Sequence, residues 1–261
     1  MIGDVIALGT EAALAAGALL LEGRGTNFQI GSKANRQDLV TEFDRRAEAL
    51  IISRIRGAYP DHSVLAEESG ETNGDPHYQW VIDPLDGTMN FAHRYPLFSV
   101  SIAFKVDGVT EWGAVHVPAL GELYTARRGH GAYLGEHRLR VSTVAELPDA
   151  LITTGFPTTK ATDPDNNLAE VTAALPQIAD LRRSGSAAFD LAQVASGRVE
   201  AFWEYGLSAW DVAAGTLLVE EAGGRISDVR DGAPPKKTGL LASNGHIHDV
   251  LHALIRRAYV P

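Results

Sequence analysis

A short segment, residues 80–91, restricts the fold most, because a buried strand, a turn and a helix start follow one another there. Residues 80–82 are apolar and predict the end of a strand, which we expect Pro84 to terminate because proline has no N–H donor. Asp83 and Asp86 flank the proline, and the residues after Asp86 predict a turn and a new helix with free N–H groups. The segment therefore offers carboxylate oxygens for a divalent cation beside backbone donors for a phosphate.

The same residues also fit a purely structural interpretation. A strand, an Asx-type turn and a helix cap would leave both aspartates bonded to nearby backbone N–H groups. An isolated Asp-Gly pair favours that interpretation. The rest of the chain must therefore supply further carboxylates and a second anion-binding helix start if the segment is a functional site.

The charge and the composition restrict the partners. A formal charge of −10 over 261 residues argues against nucleic acid as the main partner, since phosphate backbones bind basic surfaces. The charge is compatible with a phosphate substrate if bound Mg²⁺ supplies positive potential. The chain has no cysteine, which excludes disulfides and cysteine nucleophiles, and we expect a cytoplasmic protein. The apolar run at 12–21 is too short to span a bilayer, so we expect no membrane insertion.

The order of predicted elements divides the chain into two halves fused into one compact unit. Residues 1–147 predict an α+β half, in which two helices precede an antiparallel sheet that contains a hairpin at 98–117. Residues 148–261 predict an α/β half, in which strands and helices alternate. The helices expected from periodicity and end signals are 2–22, 41–59, 165–179, 185–197, 210–222 and 246–258, and a further strand is expected at 138–141.

The second half supplies the features that the first segment needs. Residues 185–187 form a small-residue helix start that lets a phosphate or a sugar approach the backbone. Asp211 lies in the first turn of another predicted helix, and Glu67 follows a short predicted strand. Alone, Asp211 is typical of a residue that interacts with the helix dipole, and Glu67 of a solvated loop residue. Combined with Asp83 and Asp86, they fit an oxygen-ligand site for Mg²⁺.

Four motifs at these positions resemble the inositol monophosphatase family, within the lithium-sensitive, Mg²⁺-dependent sugar phosphatases. They occur in the family's order and spacing and cover nearly the whole chain. The resemblance implies a layered α-β-α-β-α sandwich of the inositol monophosphatase and fructose-1,6-bisphosphatase type, with the site between an antiparallel N-terminal sheet and a mixed C-terminal sheet. The motifs are Asp38-Leu39-Val40-Thr41 with Asp44, Ala66-Glu67-Glu68-Ser69, Asp83-Pro84-Leu85-Asp86-Gly87-Thr88 and Trp210-Asp211-Val212-Ala213-Ala214-Gly215.

The resemblance also implies a role for individual residues. Catalysis would fall to Asp44, Thr88 and Glu67, with Thr88 and Asp44 positioning and deprotonating the attacking water. Two or three Mg²⁺ ions would be held by Glu67, Asp83, Asp86, Asp211 and the backbone carbonyl of Leu85. The substrate would contact Lys33, Asp86, Gly87, Thr88, Ala187, Glu204 and Asp211. For Asp44 a structural role is also open, because Thr41 and Asp44 have the spacing of a capping box.

The activity implied by the resemblance is hydrolysis of inositol monophosphate by water, without a covalent intermediate. Fructose 1,6-bisphosphate and histidinol phosphate are alternative substrates. Residues 89–96 resemble the inositol-phosphatase branch, although Met89 stands where threonine is more usual. The partner would be a small phosphate monoester, and a homodimer is implied. A rival function is that of a regulatory protein which binds the transcription machinery, since some bacterial relatives with an intact phosphatase core also have that role.

Three further side chains have two interpretations each. His93 lies close to the aspartate motif, but its neighbours Arg94, Tyr95 and Pro96 favour a loop residue over a catalytic one. Arg182 and Arg183 fit a contact to phosphate or to a second subunit as well as they fit solvated ion pairs before a helix.

Overall fold

The computed structural model describes residues 2–33, 35–163, 165–232 and 239–258. The helices found in these ranges are α1 (Ile2–Arg24), α2 (Glu42–Ala58), α3 (Thr88–Ala92), α4 (Leu168–Ala174), α5 (Ala187–Ala195), α6 (Ala209–Glu221) and α7 (His248–Ala258). The strands are β1 (Ile30–Ser32), β2 (Leu39–Thr41), β3 (His62–Ala66), β4 (Gly70–Thr72), β5 (Asp75–Asp86), β6 (Ser99–Val106), β7 (Val109–Val117), β8 (Glu122–Arg127), β9 (Gly131–Leu134), β10 (His137–Arg138), β11 (Leu151–Thr154), β12 (Asp180–Arg182), β13 (Ala201–Glu204), β14 (Arg225–Ser227) and β15 (Leu240–Ser243).

The N-terminal sheet has the strand order β10-β9-β8-β7-β6-β5-β3-β4 within the described residues. Its neighbours are antiparallel, as expected, except for the parallel pair β3 and β5. Strands β3 and β5 run in one direction because β4 turns back along the outer edge of β3 before the chain enters β5. As a result, Glu67 at the end of β3 and Asp83 near the end of β5 come to the same edge of the sheet.

The expectation that Pro84 ends its strand is wrong. Strand β5 continues to Asp86, and its pairing with β6 shifts register between Asp83, which is opposite Ser101, and Asp86, which is opposite Ser99. Three steps along β5 therefore match two along β6, which is a bulge. A bulge accommodates proline because a residue inside it need not donate to the neighbouring strand. The bulge bends the strand end that carries both aspartates.

The C-terminal sheet is mixed, with the order β12-β11-β13-β15-β14. Strand β11 is parallel to both β12 and β13, while β15 is antiparallel to β13 and β14. Helices α1 and α2 cover one face of the N-terminal sheet, and α5 and α6 lie between the two sheets. Helices α4 and α7 pack together and, through α7, on the outer face of the C-terminal sheet. These layers confirm the α-β-α-β-α sandwich.

Helix α1 packs closely on the N-terminal sheet. A Cβ atom added to Gly17 would lie 2.3 Å from the ring of His116 on β7, so glycine is needed for this approach. Within the described residues, α1 is the one helix whose length and composition would allow it to cross a membrane. The sequence-based expectation considered only the apolar run at residues 12–21, whereas the helix extends from Ile2 to Arg24. Its buried face belongs to the core shared with α2 and the sheet.

Two predicted elements are shorter than expected. Helix α4 ends at Ala174 and gives way to a 3₁₀ turn, Leu175–Gln177, because Pro176 cannot continue the α-helical hydrogen bonding. The strand expected at 138–141 stops at Arg138, and the Val141 N–H instead donates to the carbonyl of Ala222 at the end of α6. The chain therefore leaves the N-terminal sheet and crosses to the central helices.

Candidate active site

The turn between β5 and α3 requires glycine at position 87. Gly87 has a φ of 93°, a left-handed conformation that side chains disfavour. A Cβ atom there would also lie 3.1 Å from the carbonyl oxygens of Leu97 and Gly185. Helix α3 then begins at Thr88, as the sequence predicted. The turn thus brings the two halves of the chain together beside Thr88.

Thr88 and Asp44 are in direct contact. The Thr88 hydroxyl lies 2.9 Å from Asp44 Oδ1 and 3.1 Å from the carbonyl oxygen of Leu85, both of which are acceptors. Asp44 Oδ2 accepts bonds from the N–H and the hydroxyl of Thr41, at 2.7 and 2.6 Å. Burial raises the pKa of Asp44, and these donors oppose the increase. Asp44 is therefore both the capping-box residue of α2 and the hydrogen-bond acceptor of the Thr88 hydroxyl.

Glu67, Asp83 and Lys33 form a second cluster. Burial is the main cause of the raised pKa of both Glu67 and Asp83, and the charge of Glu67 raises the pKa of Asp83 further. Lys33 Nζ donates to Glu67 Oε1 over 2.8 Å and also to Glu68. Burial alone would lower the pKa of Lys33, but Glu67 and Glu68 raise it above its ordinary value. Lys33 thus neutralises part of the acidic cluster.

Asp86 links the end of β5 to the start of α5. Its Oδ2 accepts bonds from the Ser186 hydroxyl and the Ala188 N–H, both at 2.7 Å. The pKa of Asp86 is raised by burial, while these donors favour its charged form. The start of α5 was expected to let a phosphate or a sugar approach the backbone. The Ala188 N–H there already donates to Asp86, so it is a carboxylate of the protein that this N–H binds, while the approach of a sugar stays a prediction.

Asp211 lies in the first turn of α6, as the sequence predicted. Its Oδ2 accepts a 2.6 Å bond from the N–H of Ser208, and the two residues form a capping box. Burial raises the pKa of Asp211 well above its ordinary value, and the charges of Asp86 and Glu67 raise it further. The capping bond explains why this aspartate has a fixed orientation toward the other acids.

The acidic residues carry more negative charge than nearby cations balance. The pKa of Asp83 is raised by burial and then by Glu67, Asp86 and Asp211, so all four carboxyl groups interact. Among the described residues, no group of three or more acids or histidines is already arranged to hold a metal ion. The donor chemistry nevertheless fits a hard cation, because carboxylate oxygens are the ligands that Mg²⁺ prefers and a cation would relieve their repulsion.

A cleft of about 670 Å³ opens next to these acids. Its wall includes Glu67, Gly87, Thr88 and Glu204. The other predicted site residues, namely Lys33, Asp44, Asp83, Leu85, Asp86, Ala187 and Asp211, are not on the wall of this cleft. Leu85 and Ala187 are buried, and Leu85 offers its carbonyl oxygen toward Thr88.

Glu204 stands on the side of the cleft formed by the C-terminal sheet. It is 8% exposed at the end of β13. Burial raises the pKa of Glu204 to about 7, although the nearby Arg183 opposes the increase. Arg183 also lines the cleft, whereas Arg182 forms an exposed ion pair with Asp180 at 2.5 Å. The two arginines thus have different surroundings.

Sequence reasoning missed a polar network behind Asp86. The Ser184 hydroxyl donates to Asp190 Oδ2 over 2.7 Å and accepts the Ser186 N–H at 3.1 Å. Asn90 donates to the carbonyl oxygen of Ser184 over 2.8 Å, so the segment is held from α3 as well. The pattern Ser-x-Ser before a small-residue helix is a capping signal that would have found Ser186. Nothing in the sequence distinguishes Asp190 from a solvated helix residue.

Two other side chains near the motif have simpler surroundings. His93 is exposed at the end of α3 and is not on the wall of the cleft, which agrees with a loop residue. Met89 lies on the cleft wall and is 41% exposed, so it is not a core residue. The departure from threonine at this position therefore changes the surface of the cleft.

A layered sandwich with a carboxylate-rich cleft is the arrangement of the layered α/β phosphatases. The family model for the inositol monophosphatase family matches residues 2–259. The chain belongs to the inositol monophosphatase family.

Individual relatives carry two kinds of name. The chain is 45% identical over 252 residues to the Nus factor SuhB of Escherichia coli, covering 95% of this chain and 94% of the relative. It is 44% identical over 246 residues to an inositol-1-monophosphatase of Synechocystis, covering 94% and 86%. The solved inositol monophosphatase of Anabaena superposes with a TM-score of 0.88 at 42% identity, covering 100% of this chain and 97% of that one. The family and the phosphatase names support a phosphatase activity on small phosphate monoesters.

Proposed function

We propose that this protein is a Mg²⁺-dependent phosphomonoesterase that hydrolyses inositol monophosphate. The observation that carries the proposal is the hydrogen bond between Thr88 and the buried Asp44, because Thr88 lies on the same cleft as Glu67. A hydroxyl that donates to a buried carboxylate can accept a proton from water and pass its own proton on. The name of the Synechocystis relative supports inositol monophosphate as the substrate.

The chain's own residues would divide the chemistry as follows. Bound Mg²⁺ would be held by Glu67, Asp83, Asp86, Asp211 and the carbonyl of Leu85, and would supply charge neutralisation for the phosphate and acidification of water. Thr88 Oγ1 would accept the proton of the attacking water while the Thr88 hydroxyl proton passes to Asp44 Oδ1. The N–H groups of Gly87 and Thr88 would donate to the phosphate, and Glu204 would face the hydroxyl groups of the substrate.

The test is phosphate release from inositol 1-phosphate, fructose 1,6-bisphosphate and histidinol phosphate. Each ester is assayed with Mg²⁺, with a chelator, and with Mg²⁺ plus Li⁺. We expect the highest kcat/KM for inositol 1-phosphate, loss of activity with the chelator and inhibition by Li⁺. A higher kcat/KM for either of the other esters would change the proposed substrate and leave the proposed phosphomonoesterase reaction unchanged. Full activity in the chelator would contradict the Mg²⁺ mechanism.

A second candidate function is regulatory, as a partner of the transcription machinery. The observation in its favour is the 45% identity to a relative that is named Nus factor SuhB. The discriminating variant is Asp86→Asn, which removes one proposed metal ligand. If a cellular role is lost together with hydrolysis, the chemistry explains that role. If the role persists without hydrolysis, binding explains it.

We infer that the whole protein is a cytoplasmic homodimer, that it has no direct nucleic-acid or membrane partner, and that it is divided near residue 147 into two fused halves. Light scattering of the purified protein tests the dimer, and a monomer at micromolar concentration would contradict it. Limited proteolysis tests the fusion of the two halves into one compact unit, which predicts no stable fragment that ends near residue 147.

A further inference from the structure

The carboxyl group of Glu204 occupies the space where a side chain at position 155 would be. Thr154 at the end of β11 is opposite Trp203 on the parallel strand β13, so the next residues, Gly155 and Glu204, are neighbours. A Cβ atom added to Gly155 would lie 1.8 Å from Glu204 Oε2 and 2.0 Å from its Cδ. No side chain larger than that of glycine fits at position 155 while Glu204 keeps its place.

Hydrogen bonds from Asn167 fix the backbone at Gly155. The Asn167 side-chain amide donates to Thr154 Oγ1 and to the carbonyl oxygen of Gly155, both at 2.7 Å. Its oxygen accepts a 2.5 Å bond from the indole N–H of Trp203. Asn167 is 1% exposed, so these bonds are shielded from water. The ends of β11 and β13 are thereby fixed relative to each other, and the backbone cannot easily move away from Glu204.

The Glu204 carboxyl group is available to a ligand. It faces the cleft and is influenced by Arg183 and Asp86 through charge, while none of the described residues accounts for a hydrogen bond to it. A buried carboxyl group without a partner is costly, so its acceptor oxygens suit the hydroxyl groups of a polyol. Whether the Glu204 carboxyl group can accept such a hydrogen bond depends on its position, because the donor must lie within about 3 Å.

We propose that Gly155 is a specificity-determining residue, whose missing side chain sets the position of the Glu204 carboxyl group and so makes the site select phosphate esters of polyols. This inference rests on the proposed phosphatase function. The three atoms nearest to the Cβ of an alanine at position 155 all belong to the far end of the flexible Glu204 side chain. Gly155→Ala should therefore fold, with Glu204 swung out of its position.

The experiment compares two esters that differ in their hydroxyl groups. Inositol 1-phosphate has hydroxyl groups for Glu204, and phenyl phosphate has none. We expect Gly155→Ala to lower kcat/KM for inositol 1-phosphate about tenfold or more, since a hydroxyl group without its partner loses that much discrimination. For phenyl phosphate the change should stay within about twofold, because the phosphate and water groups are untouched. Gly57→Ala is the matched control, because a Cβ atom there meets nothing within 4 Å.

A double variant tests whether the effect passes through Glu204. Gly155→Ala and Glu204→Gln should each lower kcat/KM for inositol 1-phosphate, and the double variant should be no worse than the more impaired single variant. A crystal structure of Gly155→Ala should show the Glu204 carboxyl group displaced while Asp86 and Asp211 keep their positions. Equal losses for both esters, additive losses in the double variant, or an unmoved Glu204 would each overturn the proposal.

Failure of the proposed function would look different. If the wild-type protein hydrolyses neither ester, the phosphatase assignment fails, and calorimetric binding of inositol 1-phosphate then tests Gly155 without turnover. Weaker binding in Gly155→Ala than in wild type and in Gly57→Ala would support the role of Gly155. Unchanged binding in Gly155→Ala, or no binding by the wild type, would overturn it.

Discussion

The two carboxylate oxygens of Asp44 have different partners, one at the start of α2 and the other at Thr88. Oδ2 accepts both donors of Thr41 and fixes the start of α2, while Oδ1 is left for Thr88. The carboxylate therefore reaches Thr88 in a defined orientation. An acidic residue elsewhere in the chain could not replace Asp44, because the start of α2 fixes the orientation of the Asp44 carboxylate.

Asp44→Asn should lower kcat by about 100-fold or more, because an amide cannot accept the proton and general-base catalysis contributes about that factor. Thr88→Ala should have a similar effect, and Thr88→Ser should restore most of the activity because it keeps the hydroxyl group. Steady-state kinetics on inositol 1-phosphate measure these changes. Circular dichroism controls for folding, since Asn retains one acceptor for Thr41. A kcat within threefold of wild type in Asp44→Asn would refute the relay.

Glu204→Gln should change the pH dependence of stability in a defined direction. Burial raises the pKa of Glu204 from 4.5 to about 7, so the folded state holds a proton that the unfolded state has lost. Stability contributed by this group is present at low pH and falls as the pH rises from 4.5 to about 7. In a chelator, Glu204→Gln should gain about 3 kcal/mol relative to wild type across that range, at 1.4 kcal/mol per pKa unit. Urea unfolding at several pH values measures the gain, and parallel curves would contradict it.

The residues of the site differ in how far the sequence reveals them. Asp83, Asp86, Gly87 and Thr88 lie close together in the sequence, and their turn and helix start follow from local rules. Asp211 follows from its capping position. Gly155 and Asn167 could not be found, because their importance depends on a neighbouring parallel strand, and strand pairing is a non-local property.

At the scale of elements, α1 shows how small residues determine a packing distance. Its buried face carries alanine and glycine, and the Gly17 backbone lies against the ring of His116 and against Pro118. His116 Nδ1 is 3.0 Å from the carbonyl oxygen of Ala13, so the strand and the helix are also joined by a polar contact. Close approach is therefore built into the sequence of the helix.

Gly17→Ala should destabilise the protein by about 1–3 kcal/mol, because the new methyl group would overlap a buried ring that cannot move without disturbing the sheet. Gly3→Ala in the same helix is the matched control, since a Cβ atom there meets nothing within 4 Å. We expect this control to be neutral or slightly stabilising, as alanine favours helix more than glycine does. Chemical denaturation measures both. Equal effects of the two substitutions would show that packing at Gly17 is not the cause.

The elements also show where local signals fail. Helices α1, α2 and α6 match their predicted ranges within two or three residues, because periodicity and end signals coincide there. Strand β5 extends past Pro84 because a bulge opposite β6 accommodates the proline. Such a bulge depends on the partner strand and not on the local sequence. A proline in a bulge and a proline at a strand end have the same local sequence, so only the pairing distinguishes them.

At the scale of the molecule, the buried carboxylate cluster should reduce the stability of the folded state, and a cation bound as proposed should restore it. Burial raises the pKa values of Asp83, Asp86, Asp211 and Glu67, and the charges of neighbouring acids in the cluster raise those of Asp83 and Asp211 further. A cation that binds the folded state and not the unfolded one should raise Tm in proportion to the logarithm of its concentration. Function and stability are therefore in opposition at this site.

Asp83→Asn should raise Tm in a chelator, because the amide removes one of the repelling charges from a buried position. The same substitution should remove most of the increase in Tm that Mg²⁺ causes in the wild type, since one ligand is lost. Differential scanning calorimetry with and without Mg²⁺ measures both effects. A wild-type Tm that does not respond to millimolar Mg²⁺ would contradict the metal assignment.

Asp86 at the end of β5 accepts hydrogen bonds from Ser186 and Ala188 at the start of α5, in the central helical layer. The two layers that meet at the cleft are thus joined by the protein itself. If Asp86 holds a cation as proposed, its carboxylate is already oriented by the protein, so binding of the cation should require no rearrangement of the two layers.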